Sequence, residues 1–273
     1  MKFENWTPEN DKFLKIKEIE IHNKFHEDIA SSEITLATLF ETPTRKFRID
    51  ALKEAISKVG APIQGKVLEV GAGDGWCSAY LCRSYNIDEI FTMEINEAAI
   101  HKLIPKVFEV SKVDINKATL ILGSFNDIRL KNHFDYVFVM GALHHSSNLY
   151  ATFKNIYNCL KPGGWLIAQE PYMHNEALNN FYHKREGEEA NFKGIAKIIN
   201  SERTDLFYRE CEYRVAGFHA GFDYQSQRVL KPTEKSQLKW YRKTIPENID
   251  KPNNLIVFAQ KPMVDQKPVT SWE

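Results

Sequence analysis

Hydrophobic positions in the middle of the chain fall in short runs, KVLEVG, EIFTMEI, ATLILG, FDYVFVM and GWLIAQE, each followed by a stretch of helical period or a turn. β-branched runs of this length, alternating with helices, predict a parallel sheet wound by crossover helices. The helices are expected near Cys77–Ser84, Glu97–Val110 and Leu149–Leu160, the last ended by the turn sequence KPGG. Two later runs, FDYQSQRVL and NLIVFAQK, bring the expected sheet to seven strands. Upstream, Phe13, Ile16, Ile19, Ile21, Phe25 and Ile29 recur at three- and four-residue steps and predict a helix over 9–32. A second helix is expected through TRKFRIDALKEAISKV, stopped by Gly60 and Pro62. The expected organisation is therefore a helical cap over 1–43 and an α/β domain over 44–262, with a frayed tail over 263–273. Within that domain the alternation breaks at 171–221, an aromatic, histidine-rich and charged insertion that reads as a substrate lid. The amino-terminal helix could close the same pocket from the other side.

Composition narrows the function without naming it. A chain of 273 residues with 43% hydrophobic and 26% charged positions can bury a sizeable core. Lysine plus arginine (36) equal aspartate plus glutamate (36), so no global positive field draws the chain to nucleic acid or anionic lipid. The four cysteines, Cys77, Cys82, Cys159 and Cys211, show no metal-ligand spacing and read as reduced thiols of a cytosolic protein. The amino terminus, MKFENWTPENDKF, has no apolar stretch of signal-peptide length, and no later segment approaches the roughly 18 apolar residues of a membrane helix. A cytoplasmic protein with a small-molecule substrate is the expectation, and oligomeric state is not readable.

The chemistry sits in VLEVGAGDGW, where a hydrophobic strand runs into Gly71, Gly73 and Gly75 and then into a helix. Glycines at that place let a cofactor lie against bare peptide groups near a helix amino terminus. About 20 residues on, Glu94 ends the next strand, where a carboxylate can take both hydroxyls of a ribose. The spacing is G-x-G-x-G, with Trp76 where the dinucleotide fingerprint has its last glycine, which disfavours NAD. Taken with FDYVFVMGALHH at the fourth strand and LKPGG before the fifth, the chain resembles class I S-adenosylmethionine-dependent methyltransferases, closely over 44–171 and in outline elsewhere.

That resemblance implies a doubly wound, mostly parallel seven-stranded sheet of the Rossmann-like methyltransferase type, and S-adenosylmethionine as cofactor. It implies that Glu69, Gly71, Gly73 and Gly75, with Trp76, surround the methionine part, that Glu94 holds the ribose and that Ile95 packs on adenine. Ser124 and Phe125 would lie by the adenine, although Gly123-Ser124-Phe125-Asn126-Asp127 departs from the family's usual Gly-Asp pair. Gly141 would line the sulfonium end and point the following residues at the acceptor. A hydroxyl or protonated amine acceptor must lose a proton, and His144, His145 and Glu170 are the candidate bases. Tyr172, His174 and Tyr182 of the insertion are the candidate substrate contacts. The expected reaction is methyl transfer to oxygen or nitrogen of a metabolite or sugar-like acceptor. The rivals are an NAD-dependent oxidoreductase on a similar fold and a non-catalytic cofactor-binding relative.

Three other patterns read as accidental. GAPIQGK has Val67 where a phosphate loop needs Ser or Thr, and a strand follows it. Tyr150 and Lys154 share a helix face without the glycine loop that a short-chain dehydrogenase would add. His22 and His26 stand one turn apart with no third ligand evident, and read as a surface pair.

Overall fold

In a computed structural model, residues 1–7, 16–172, 208–229 and 253–264 are described. Five parallel strands form the centre: β2 (Gln64–Val70), β3 (Asn86–Glu94), β4 (Ala118–Gly123), β5 (Phe134–Met140) and β6 (Leu160–Tyr172). β7 (Asp223–Val229) and β8 (Asn253–Gln260) extend one side, with β8 antiparallel to both β6 and β7. At the other edge β1 (Lys2–Trp6) runs parallel to β4. The order is β1-β4-β3-β2-β5-β6-β8-β7, which makes eight strands among the described residues rather than seven.

The eighth strand falls in the segment expected to be a helical cap. KFENW buries only Trp6, so no alternating apolar pattern announces it. Its place comes from pairing: the Trp6 side chain lies against Gly123, where an added Cβ would sit 3.1 Å from that of Trp6. The helix α1 (Ile16–Ser31) follows, then α2 (Leu36–Phe40) and α3 (Pro43–Val59). α3 starts under a Thr42 cap, with Pro43 in the first turn, and stops at Gly60 with φ 69°.

β2 and β5 are buried on both faces, and successive side chains enter opposite cores. Val67, Tyr136 and Phe138 join the core formed with α3, α4 (Trp76–Ser84) and α5 (Ile104–Ser111). Leu68, Val70, Val137 and Val139 join the core formed with α6 (Leu149–Cys159) and α7 (Glu210–Ala220). A π-helical turn, Ala99–Leu103, leads into α5 and carries α1 on its outer side. α7 belongs to the stretch expected to form the lid, yet it buries Tyr213, Ala216 and Ala220 and packs on α6. Residues 173–207 of that stretch, including His174 and Tyr182, lie outside the described residues. Among the described residues no helix is long and apolar enough to cross a membrane.

Candidate functional site

The carboxyl ends of β2, β3, β4 and β5 open on one cavity of about 550 Å³. Its floor is the glycine loop. Gly71 has φ 67°, and a Cβ there would stand 2.4 Å from the Cβ of Ala142, so only glycine lets the loops after β2 and β5 meet. Gly73 has φ 56°, and a Cβ on it would meet nothing within 4 Å, so its backbone lies bare on the cavity side.

Glu94 forms the wall at the end of β3. Its Oε2 accepts from Gly73 N at 2.8 Å, and its Oε1 accepts from Ile95 N at 2.9 Å and from Asn96 N and Nδ2 at 3.2 and 2.6 Å. The carboxylate thus ties the loops after β2 and β3 together while it borders the cavity. Beside it, His26 Nδ1 and Asn96 Oδ1 are buried on the same wall with no hydrogen-bond partner among the described residues. Burial first, then the neighbouring His22, hold the His26 imidazole below its ordinary proton affinity, against the opposing pull of Glu94 and Asp74. A ligand with hydroxyls and heteroaromatic nitrogens offers what this wall leaves unpaired. Ile95, Ser124 and Phe125 continue the wall. The turn after β4 is pinned by Asn155 Nδ2, which donates to Phe125 O and Asn126 O at 3.1 and 2.7 Å. Asp127, the acid nearest to the family's usual place, pairs with Arg129 at 3.1 Å instead.

Several expected residues lie behind the cavity wall. Glu69 is 1% exposed, and its Oε2 accepts from Ser78 N and Oγ at 2.8 and 2.5 Å, so it ties β2 to α4. Burial pushes its carboxyl up to about 8. Gly75 turns into α4 with φ 77° and faces Ile104, whereas Trp76 reaches the cavity. Glu170, expected as a base, is fully buried: Oε1 accepts from Ala142 N and Leu143 N at 2.9 Å, and Oε2 accepts from His144 N at 3.3 Å and contacts His144 Nδ1 at 2.9 Å. It organises the loop after β5 and orients His144, which is itself buried. Of the three candidate bases, only His145 lines the cavity, near Gly141. Tyr172 is 1% exposed in the core beneath α7 and is not a cavity residue, because its place on β6 points it to the other side of the sheet.

The amino-terminal helix was expected to be able to close the pocket, but the inward faces of the roofing helices were not legible. α1 contributes His22 and His26, so the pair read as a surface feature lines the cavity instead. The cause is docking: Asn23 Oδ1 accepts from Ala98 N at 3.2 Å, and Lys106 Nζ donates to Ala30 O and Ser32 O at 2.9 and 2.7 Å. His22 meets His145 edge-on with ring centroids 6.0 Å apart. α3 contributes Arg45 and Arg48; Arg45 pairs with Asp74 of the glycine loop and lies over Trp76 at 4.9 Å. The four-residue step of the histidines and the Arg-x-x-Arg step were visible signals, but neither says which face a helix turns inward.

A family model described as "Methyltransferase domain" matches residues 44–205, more than half of the chain. This chain belongs to the methyltransferase-domain family. Membership in that family sets aside the oxidoreductase reading of the glycine loop. Among curated relatives, it is 25% identical over 101 residues to malonyl-[acyl-carrier protein] O-methyltransferase of Priestia megaterium, covering 37% of this chain and 35% of that protein. It is 23% identical over 183 residues to phosphoethanolamine N-methyltransferase 1 of Triticum aestivum, covering 60% of this chain and 34% of that protein. The chain thus spans about a third of the length of both relatives. Solved structures share the fold. A chain of a Haloferax volcanii complex containing the Trm112 methyltransferase activator matches with TM-score 0.60 and 16% identity, over 85% of this chain and 96% of that one. Haemonchus contortus phosphoethanolamine N-methyltransferase 2 in complex with S-adenosyl-L-methionine matches with TM-score 0.51 and 15% identity, over 81% and 57% of the two chains.

Proposed function

We propose that this chain is an S-adenosylmethionine-dependent methyltransferase that methylates an oxygen or nitrogen of a small metabolite or sugar-like acceptor enclosed beneath α1 and α3, with His145 receiving the acceptor's proton. The observation that carries the reading is one cavity of about 550 Å³ lined both by Glu94 at the end of β3 and by Gly141 and His145 after β5. That volume lies within the usual range for small-molecule sites. Equal numbers of basic and acidic residues favour such an acceptor over a nucleic acid.

The residues suit the cofactor. Glu94, with Asn96 and His26 beside it, would hold the ribose and base; Gly71 and Gly73 would hold the methionine part. Bound S-adenosylmethionine supplies an electrophilic methyl group on a sulfonium. The protein's part is to align the acceptor, keep water out and take up the released proton. His145 is suited to the last task because it is the candidate base on the cavity wall. His144 and Glu170 act through the loop that carries it.

The test is formation of S-adenosylhomocysteine from S-adenosylmethionine with pools of amines, alcohols and carboxylic acids. The expected result is turnover with a small-molecule pool, and a fall in kcat of about 10²–10⁴-fold in His145→Gln with S-adenosylhomocysteine binding retained. Turnover with no pool, or an unchanged kcat in the variant, would overturn the reading.

A further inference from the structure

We infer that Arg48 is the anion-binding residue for the methyl acceptor, so that the acceptor carries a carboxylate or phosphate close to the atom that is methylated. The inference rests on the function proposed above and specifies its substrate.

α3 presents two arginines at an i, i+3 step, which places both on one face. They are not equivalent. Arg45 is paired with Asp74 and covers Trp76, so its charge is balanced at the glycine loop. Arg48 has no hydrogen bond or ion pair among the described residues. Burial and the neighbouring Arg45 both work against its charge, which leaves a desolvated cation facing the cavity.

The acids that face it are already engaged. Asp74 belongs to Arg45, and the Glu170 oxygens are taken by Ala142 N, Leu143 N and His144. Arg48 Nη2 lies 3.8 Å from where a Cβ on Gly141 would stand, over bare backbone at the end of β5, and lines the same cavity as His145. β2 separates this strand from β3, whose end carries Glu94. The guanidinium is therefore at the acceptor end of the cavity. A planar fork of N–H donors matches the paired oxygens of a carboxylate or phosphate.

The carboxylate of the cofactor has the same chemistry, so the experiment separates the two sources. Malonate, inorganic phosphate and uncharged malonamide are titrated calorimetrically into wild type, Arg48→Gln and Arg48→Lys, with and without saturating S-adenosylhomocysteine. S-adenosylhomocysteine and 5′-methylthioadenosine, which lacks the carboxylate, are titrated into the same proteins. The expected result is that wild type binds malonate or phosphate but not malonamide. Arg48→Gln then weakens the anion about 10- to 100-fold, Arg48→Lys weakens it less, and both nucleosides bind all three proteins alike. Retained nucleoside binding also shows that the variants are folded. Equal anion binding in wild type and Arg48→Gln, or none in wild type, overturns the inference. So does loss of S-adenosylhomocysteine affinity without loss of 5′-methylthioadenosine affinity, which would give Arg48 to the cofactor. Failure of wild type to bind S-adenosylhomocysteine is a separate result that sinks the proposed function and leaves the anion titrations readable.

Discussion

Glu94 and Glu170 occupy matching places, one at the end of β3 and the other near the end of β6, and each is surrounded by N–H groups of the loop that follows a strand. Glu94 accepts from Gly73, Ile95 and Asn96 and borders the cavity. Glu170 is sealed beneath Ala142, Leu143 and His144 with no exposed surface. The same residue type at the same kind of position has become a cavity wall in one region and an internal strut in the other. The difference lies in what encloses them: three consecutive residues of the loop after β5 cover Glu170, whereas Glu94, held by the loops after β2 and β3, keeps one side on the cavity.

Substitutions should separate the two regions. The largest effect is expected for Glu170→Ala, which strands three buried backbone donors and His144 and should cost about 3 kcal/mol or more of unfolding free energy, read by urea denaturation. A cost below about 1 kcal/mol would break the comparison, because the loop after β5 would then not depend on this carboxylate. Glu94→Ala should cost less, about 1–2 kcal/mol, since water in the cavity can reach the freed donors. Its larger consequence is on binding: S-adenosylhomocysteine at 100 times its wild-type Kd should stabilise wild type by about 2.7 kcal/mol and the variant by far less. Thermal unfolding with and without the ligand reads this, and equal ligand stabilisation of the two proteins would remove Glu94 from the binding wall.

Glu69 sharpens the contrast through pH. Burial raises its carboxyl from 4.5 to about 8. Between those values the folded chain binds more protons than the unfolded one, so this contribution is complete below about 4.5 and is lost as pH rises through about 8. The slope should approach ~1.4 kcal/mol per pH unit, and Glu69→Gln should abolish it. Parallel urea-denaturation profiles of stability against pH for the two proteins would show that this carboxyl does not titrate late.

How much was legible follows from how local each signal is. β2 to β5 stand as read because a strand buried on both faces needs a continuous apolar run, as in KVLEV and DYVFVM, whereas β6 begins at Leu160 and takes in the KPGG read as a turn. β1 was missed because an edge strand with one buried residue, Trp6, carries no periodic signature. Glu69, Glu94 and Glu170 were all visible as acids at or near strand ends, but the pattern could not say which of them reaches the cavity. His22 and His26 were visible as a pair, and Arg48 was hidden inside an ordinary amphipathic helix, because the inward face of α1 and α3 depends on what each docks against.

The sequence by itself determined the wound α/β sheet, the glycine loop and the acid at the end of β3. These depend on period-two burial, on backbone conformations open to glycine, and on short spacings along the chain. Only the tertiary structure decided that Glu69 and Glu170 lie behind the wall, that His145 rather than His144 faces the cavity, and that α1 and α3 roof it with histidines and with Arg48, which has no ion pair among the described residues. Those outcomes are set by contacts between segments far apart in the chain, where a rotation of one helix or one loop exchanges a solvent-facing side chain for a cavity-facing one.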